Sequence, residues 1–162
     1  MTSNKACRYR WLAIAAVGGW VLPSGVAWAG LGESVAVIEQ DRVAMHAQKA
    51  LQVQSTYTVH VLQMANGGLV RQYASADQRV FAVSWVSVGK PDLATLLGPS
   101  YGRYVAGVRA SVQQRPGAGR QFHHSAQDLV VHSSAHLNVF KGYAYHPSML
   151  PAGFGLAASN SE

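Results

Sequence analysis

Five of the chain's seven histidines lie in one stretch, "HHSAQDLVVHSSAHLNVFKGYAYH", from His123 to His146. Neutral imidazole is a common ligand for Zn²⁺ and Cu²⁺, and it also gives and takes protons near neutral pH. His132 and His136 flank Ser133–Ala135. If Ser133–Ala135 is a three-residue hairpin loop, the two histidines stand opposite each other with Cβ atoms about 5 Å apart. They would then pinch Zn²⁺ or Cu²⁺, with His123 or His124 as a third ligand. If the loop is Ser134–Ala135, His132 pairs with Leu137 and His136 with Ser133. The rings then point to opposite faces and the site disappears. The nearest acid is Asp128, and no cysteine is at hand. Spacing alone favours the plainer expectation of solvent-side histidines in a loop and hairpin.

A second pattern concerns serine. Gly98-Pro99-Ser100-Tyr101-Gly102 fits G-x-S-x-G, and Asp128 and His132 follow in the order of a hydrolase triad. That motif needs a strand before the serine, so that a sharp turn lifts the hydroxyl out. Here "PDLATLL" precedes it and reads as a helix, and Pro99 pushes Gly98 toward an extended backbone. The expectation is a helix ending in a glycine- and proline-rich turn, with no catalytic residue. Carboxylates add little. Asp41 reads as a helix cap, Asp77 as a turn residue and Asp92 as a helix start. No two of them form the pair that glycoside hydrolysis needs. The chain therefore reads as a non-enzymatic domain that binds an envelope protein partner or another envelope component.

A third pattern is basic. Arg103, Arg109, Arg115 and Arg120 lie between Asp92 and Asp128 with no acid among them. Such a segment suits an anionic envelope component, or it is simply a solvated basic loop. No aromatic platform for nucleic-acid bases is visible beside it.

These residues must be held by a fold, and the two ends of the chain bound it. Lys5, Arg8 and Arg10 form a positive head, "WLAIAAVGGWVL" an apolar middle, and Ala27 and Ala29 an A-x-A site. This is the order of a secretory signal peptide, with cleavage expected after Ala29 and a periplasmic or secreted product. Gly18, Gly19, Pro23 and Gly25 weaken the alternative of an uncleaved membrane anchor. Removing three of 13 basic residues leaves 10 against 7 acidic ones, so the net charge falls from +6 to +3. The single cysteine, Cys7, leaves too. The remainder is long enough for one packed core without disulfides, expected over residues 30–155, with 156–162 a polar tail.

Along this domain, "DRVAMHAQKAL" reads as a helix capped by Asp41, with Val43, Ala47, Ala50 and Leu51 at helical spacing. Residues 57–86 read as a three-stranded meander with a hairpin at Asn66–Gly68 and a turn at "SADQ". Phe81, Val83 and Trp85 are expected on one core face. Pro91 and Asp92 open a second helix, ended first by Gly98 and Pro99. Gly107–Gln127 reads as a long connection, and Leu129–Ser133 and Leu137–Tyr145 as two last strands. The expected fold is α+β, an antiparallel sheet of about five strands on one or two helices. A cystatin-like or PepSY-like roll has this layout.

Several pieces together, "GLGES", "NGGLVRQYAS", "QRVFAVSW", "KPDLATLLG", "DLVVHSSAH" and "FKGYAYHPSMLPAGF", resemble a family of secreted proteobacterial proteins known as domain of unknown function 2844. The resemblance spans nearly all of residues 30–155. It implies export and one compact domain, and it implies no activity. The chain has Gln78 where such proteins are expected to carry glycine.

Overall fold

The computed structural model describes residues 30–114, 121–126 and 128–155. The expected signal peptide 1–29, the expected tail 156–162, Arg115 and Arg120 lie outside the described residues. A 3-10 turn at Val35–Val37 leads into α1 (Ile38–Ala44). Strands β1 (Gln48–Val53), β2 (Tyr57–Gln63), β3 (Leu69–Ser75) and β4 (Val80–Val88) follow. Then come α2 (Leu93–Leu97), a 3-10 turn at Gly98–Ser100 and α3 (Tyr101–Gln114). Strands β5 (Gln121–Ala126), β6 (Leu129–His136) and β7 (Val139–Tyr145) close the sheet, before a last 3-10 turn at Pro147–Met149. All seven strands join one antiparallel sheet in the order β1-β2-β3-β4-β7-β6-β5. The class is the expected α+β, with two strands more than anticipated, and both extra strands are edges.

The first extra strand replaces half of an expected helix. Ser34, not Asp41, caps the opening turn, accepting from the Ala36 amide. α1 therefore starts three residues before Asp41 and stops at Ala44. His46 adopts a left-handed backbone with φ 49, and Gln48–Val53 pairs with Thr58–Gln63. Ala47 is buried in the core just before β1, whereas Ala50 and Leu51 lie on an exposed edge strand, which has no packing to enforce a period. The second extra strand comes from the expected long connection. α3 continues to Gln114, and β5 pairs with β6. β5 holds because Phe122 meets Tyr104 edge-on, with ring centroids 5.3 Å apart, while His124 lies against Gly107 on α3.

Each face of the sheet carries its own core. The helices cover Leu62, Val70, Val83, Trp85, Val131 and Ala144. Segment 147–154 covers one end of the other face, over Val59, Tyr73, Phe81 and Ala82. Phe81 thus leaves the face of Val83 and Trp85. Tyr73 pairs with Ala82 and Ala74 with Val80, so Phe81 is the extra residue of a β-bulge. The bulge turns Phe81 into an aromatic cluster, where it meets Phe154 edge-on at 4.8 Å. Among the described residues, both cores are built from residues 31–154.

The meander turns are where the sequence places them. Gly67 supplies φ 80 in the first. In the second, Gln78 itself takes φ 61, a conformation that costs a side chain about 1 kcal/mol. Gln78→Gly is therefore expected to stabilise the domain by about 0.5–1 kcal/mol, measured as a shift in the urea unfolding midpoint.

Candidate functional site

The hairpin turn decides the histidine question. It falls at Leu137–Asn138, with Leu137 at φ 53, and β6 runs unbroken to His136. His136 pairs with Val139, so neither expected loop forms. His132 and His136 stand four residues apart on one strand rather than facing each other. His132 instead faces His123 across the β5–β6 pair, with ring centroids 6.0 Å apart. His124 lies on the helix side. Only His123 and His132 of the four candidates are brought together. Among the described residues no group of three His, Cys, Asp or Glu side chains is placed to hold a metal ion.

What the sheet assembles around His132 is a ladder of rings on the face opposite the helices. Tyr143 pairs with His132 in register, and their rings lie 5.4 Å apart at 18°. Tyr145 continues the row, 6.2 Å from Tyr143 at 22°. Near-parallel rings hide their π faces in one another and turn their edges outward. An aromatic edge is the positive side of the ring quadrupole. Arg71 lies opposite Ser84, and Ser84 opposite Tyr143, so Arg71 shares this row. Lys141 sits opposite Ser134 in the neighbouring row. Among the described residues no strand carries a carboxylate. A cavity of about 170 Å³ opens between Val86, His132, Ser134, Lys141 and Tyr143. This face offers donors and positive charge to an anion. Arg71 and Lys141 escape sequence reasoning, because only the register of three strand pairs puts them near His132.

The serine motif is reassembled too. Ser100 is 1% exposed, and its hydroxyl lies 3.3 Å from His146 Nε2, not beside His132. His146 Nδ1 bonds the Asp128 carbonyl oxygen. Arg103 donates to the Ser100 hydroxyl at 3.1 Å and pairs with the Asp128 carboxylate. Arg103 is therefore committed to this cluster, while Arg109 stands exposed on α3. With Nδ1 protonated, the imidazole donates to Asp128 and accepts from Ser100, whose oxygen accepts from Arg103. These contacts close the cluster into a clasp. It ties the start of α3, the β5–β6 turn and the end of β7 together.

The clasp carries a pH signature. Burial pushes the His146 imidazole below its ordinary 6.5, helped by the nearby Arg103 and Arg79 guanidiniums. The neutral ring is the folded form, so its contribution is complete above pH 6.5 and is lost as pH falls below it. The stability gap between the native chain and His146→Gln is expected to narrow from pH 7.5 to about pH 5, as read by urea unfolding.

A second buried polar group lies under α1. Asp41 is 2% exposed, and its carboxylate accepts a 2.7 Å hydrogen bond from Gln72 Nε2. Gln72 pairs across β2–β3 with His60, and Gln72 Oε1 and His60 Nδ1 are buried without a partner among the described residues. Burial drives the Asp41 carboxyl up to about 7, against the Gln72 bond and with the Asp92 charge. Burial, with Lys49, lowers His60.

No curated protein and no solved structure matches the chain. A family model described as "Protein of unknown function (DUF2844)" matches residues 27–158. That match takes in both cores, the ring ladder and the clasp, and it establishes that the chain belongs to the DUF2844 family.

Proposed function

We propose that this is an exported, non-enzymatic domain that binds an acidic polymer of the cell envelope through the open face of its sheet. The observation that carries this reading is the ladder of Tyr145, Tyr143 and His132, near-parallel rings with His123 tilted beside them, and Arg71 and Lys141 on the same face. Uronate carboxylates would pair with the two cations, and sugar hydroxyls with the Tyr143 phenol and the imidazole nitrogens. Weak contacts of this kind gain affinity when repeated along a polymer. The signal-like segment 1–29 supports export. Among the described residues no helix is long and apolar enough to cross a membrane.

The test uses tag-free protein beginning at Gly30, run on immobilised polygalacturonate and on dextran. Retention on the polyuronate, relieved by salt, is expected, with none on the neutral glucan. Arg71→Gln with Lys141→Gln is expected to weaken it about three- to tenfold. Equal retention on both matrices, or no change in the double variant, would refute the reading. Export is checked separately by intact mass of the protein recovered from the envelope, which should begin at Gly30.

A further inference from the structure

We propose that the cleft between α2 and α3, on the helix side of the sheet, binds a single acyl chain with one anionic head group. α3 packs poorly for a helix on a sheet, since none of its 14 residues is fully buried. Its inward side chains Tyr104, Val105 and Val108 instead line a cavity of about 520 Å³, opposite Pro91 and Leu93. A second cavity of about 180 Å³ adjoins it behind Leu93 and Tyr104, floored by Trp85 and Phe140. Lys90, Pro91, Leu93 and Tyr104 line both, so the two spaces share a wall. Small-molecule pockets commonly run to about 300–1,000 Å³ with mostly apolar walls and a few placed polar groups. This cleft has that size and that lining.

Charge selects the occupant. Lys90 and Arg109 both line the larger cavity and are exposed at its rim. Among the described residues neither forms an ion pair. The one carboxylate there, Asp92, caps the amino end of α2 and leaves two cations against one acid at the mouth. It accepts from the Ala94 and Thr95 amides at 3.1 and 3.2 Å and from the Thr95 hydroxyl at 2.8 Å. A mostly apolar lining with a net positive mouth suits a chain whose head stays at Lys90 and Arg109 and whose tail lies along Leu93 and Tyr104, the wall shared with the Trp85 cavity. This site lies across the sheet from the ring ladder and is independent of it.

Trp85 makes the test direct, because the other three tryptophans, Trp11, Trp20 and Trp28, precede Gly30. Protein beginning at Gly30 is titrated with monomeric dodecanoate and with dodecanol while Trp85 emission is followed. A saturable one-to-one change is expected, about tenfold tighter for dodecanoate than for dodecanol. Lys90→Ala with Arg109→Ala should erase that preference while leaving dodecanol unchanged. Val108→Trp, which fills the cavity from α3, should abolish binding of both, read by calorimetry. The proposal is overturned if binding is unsaturable, if both ligands bind alike in the native chain, or if Val108→Trp binds as before. It is equally overturned if sedimentation shows a dimer whose formation dodecanoate does not compete with, since a second copy would then be the occupant.

Discussion

Asp41→Asn is expected to stabilise this domain by about 2–4 kcal/mol at pH 8.5 and to change it little at pH 4.5. The carboxyl rises from an ordinary 3.8 to about 7 because α1 lays it on β3, away from water. In the unfolded chain it ionises near pH 4. In the folded chain it holds its proton until about pH 7. Between these values the folded state binds the extra proton, so acid favours folding and rising pH erodes it. Above pH 7 the ionised group is carried at its full cost, about 1.4 kcal/mol for each pH unit of displacement. Asparagine keeps an oxygen to accept the Gln72 amide proton and adds a donor beside the unpartnered Gln72 Oε1. Asp41→Leu separates the charge from the hydrogen bond. It removes the charge but strands Gln72 Nε2, and should cost stability at pH 4.5, where Asp41→Asn does not. Urea midpoints of the three proteins at both pH values decide the matter. Parallel curves for the native chain and Asp41→Asn would show that the carboxyl ionises in the folded state as it does in water.

Asp41 also shows how far the sequence reaches. It stands just ahead of an apolar repeat and reads as a cap. Moving the start of the helix back to Ile38 turns the same residue inward. Nothing local fixes that start except Ser34, a weak signal four residues before Ile38. The meander, the Asp92 cap and the class of the fold are legible because turn chemistry and strong alternation specify them locally. The bulge at Phe81 is not, since one extra residue reverses which face follows it, and only pairing with β3 reveals it.

The site is less legible than the fold for the same reason. The histidine cluster draws attention to β6, but its meaning depends on where one hairpin turns. Leu137 takes the left-handed position that glycine or asparagine would have advertised, so the turn at Leu137–Asn138 has no sequence signature in its first residue. With the turn there, His132 gains Tyr143 and His123 as neighbours and loses His136. His146 is invisible as the partner of Ser100, because the two meet only where α3 begins beside the end of β7.

The two glycines of Gly98-Pro99-Ser100-Tyr101-Gly102 are expected to respond to alanine in opposite directions. Gly98→Ala should cost about 3–5 kcal/mol, while Gly102→Ala should gain about 0.5–1 kcal/mol. Gly98 sits at φ 48, ψ −126, between α2 and the turn that carries Ser100, in a region closed to side chains. Its absent Cβ would also lie 2.8 Å from the Gly30 Cα, and a Cβ on Gly30 would lie 2.3 Å from the Gly98 Cα. Two backbone segments cross here with no room for a methyl group, and neither can yield cheaply. Leu31 bonds the Leu96 carbonyl, and Gly32 bonds the Val80 carbonyl, so the Gly30 segment is stitched to both neighbours. Gly102 lies inside α3 with nothing within 4 Å of a Cβ, where alanine simply costs the unfolded chain entropy. A nucleophile elbow would make both glycines matter for reaching the serine. In this fold the first lets two strands of backbone cross and the second does nothing that alanine cannot do. Thermal and urea unfolding of the two variants tests this. Comparable losses at both positions would mean that the tight crossing at Gly30 and Gly98 is not what the motif serves.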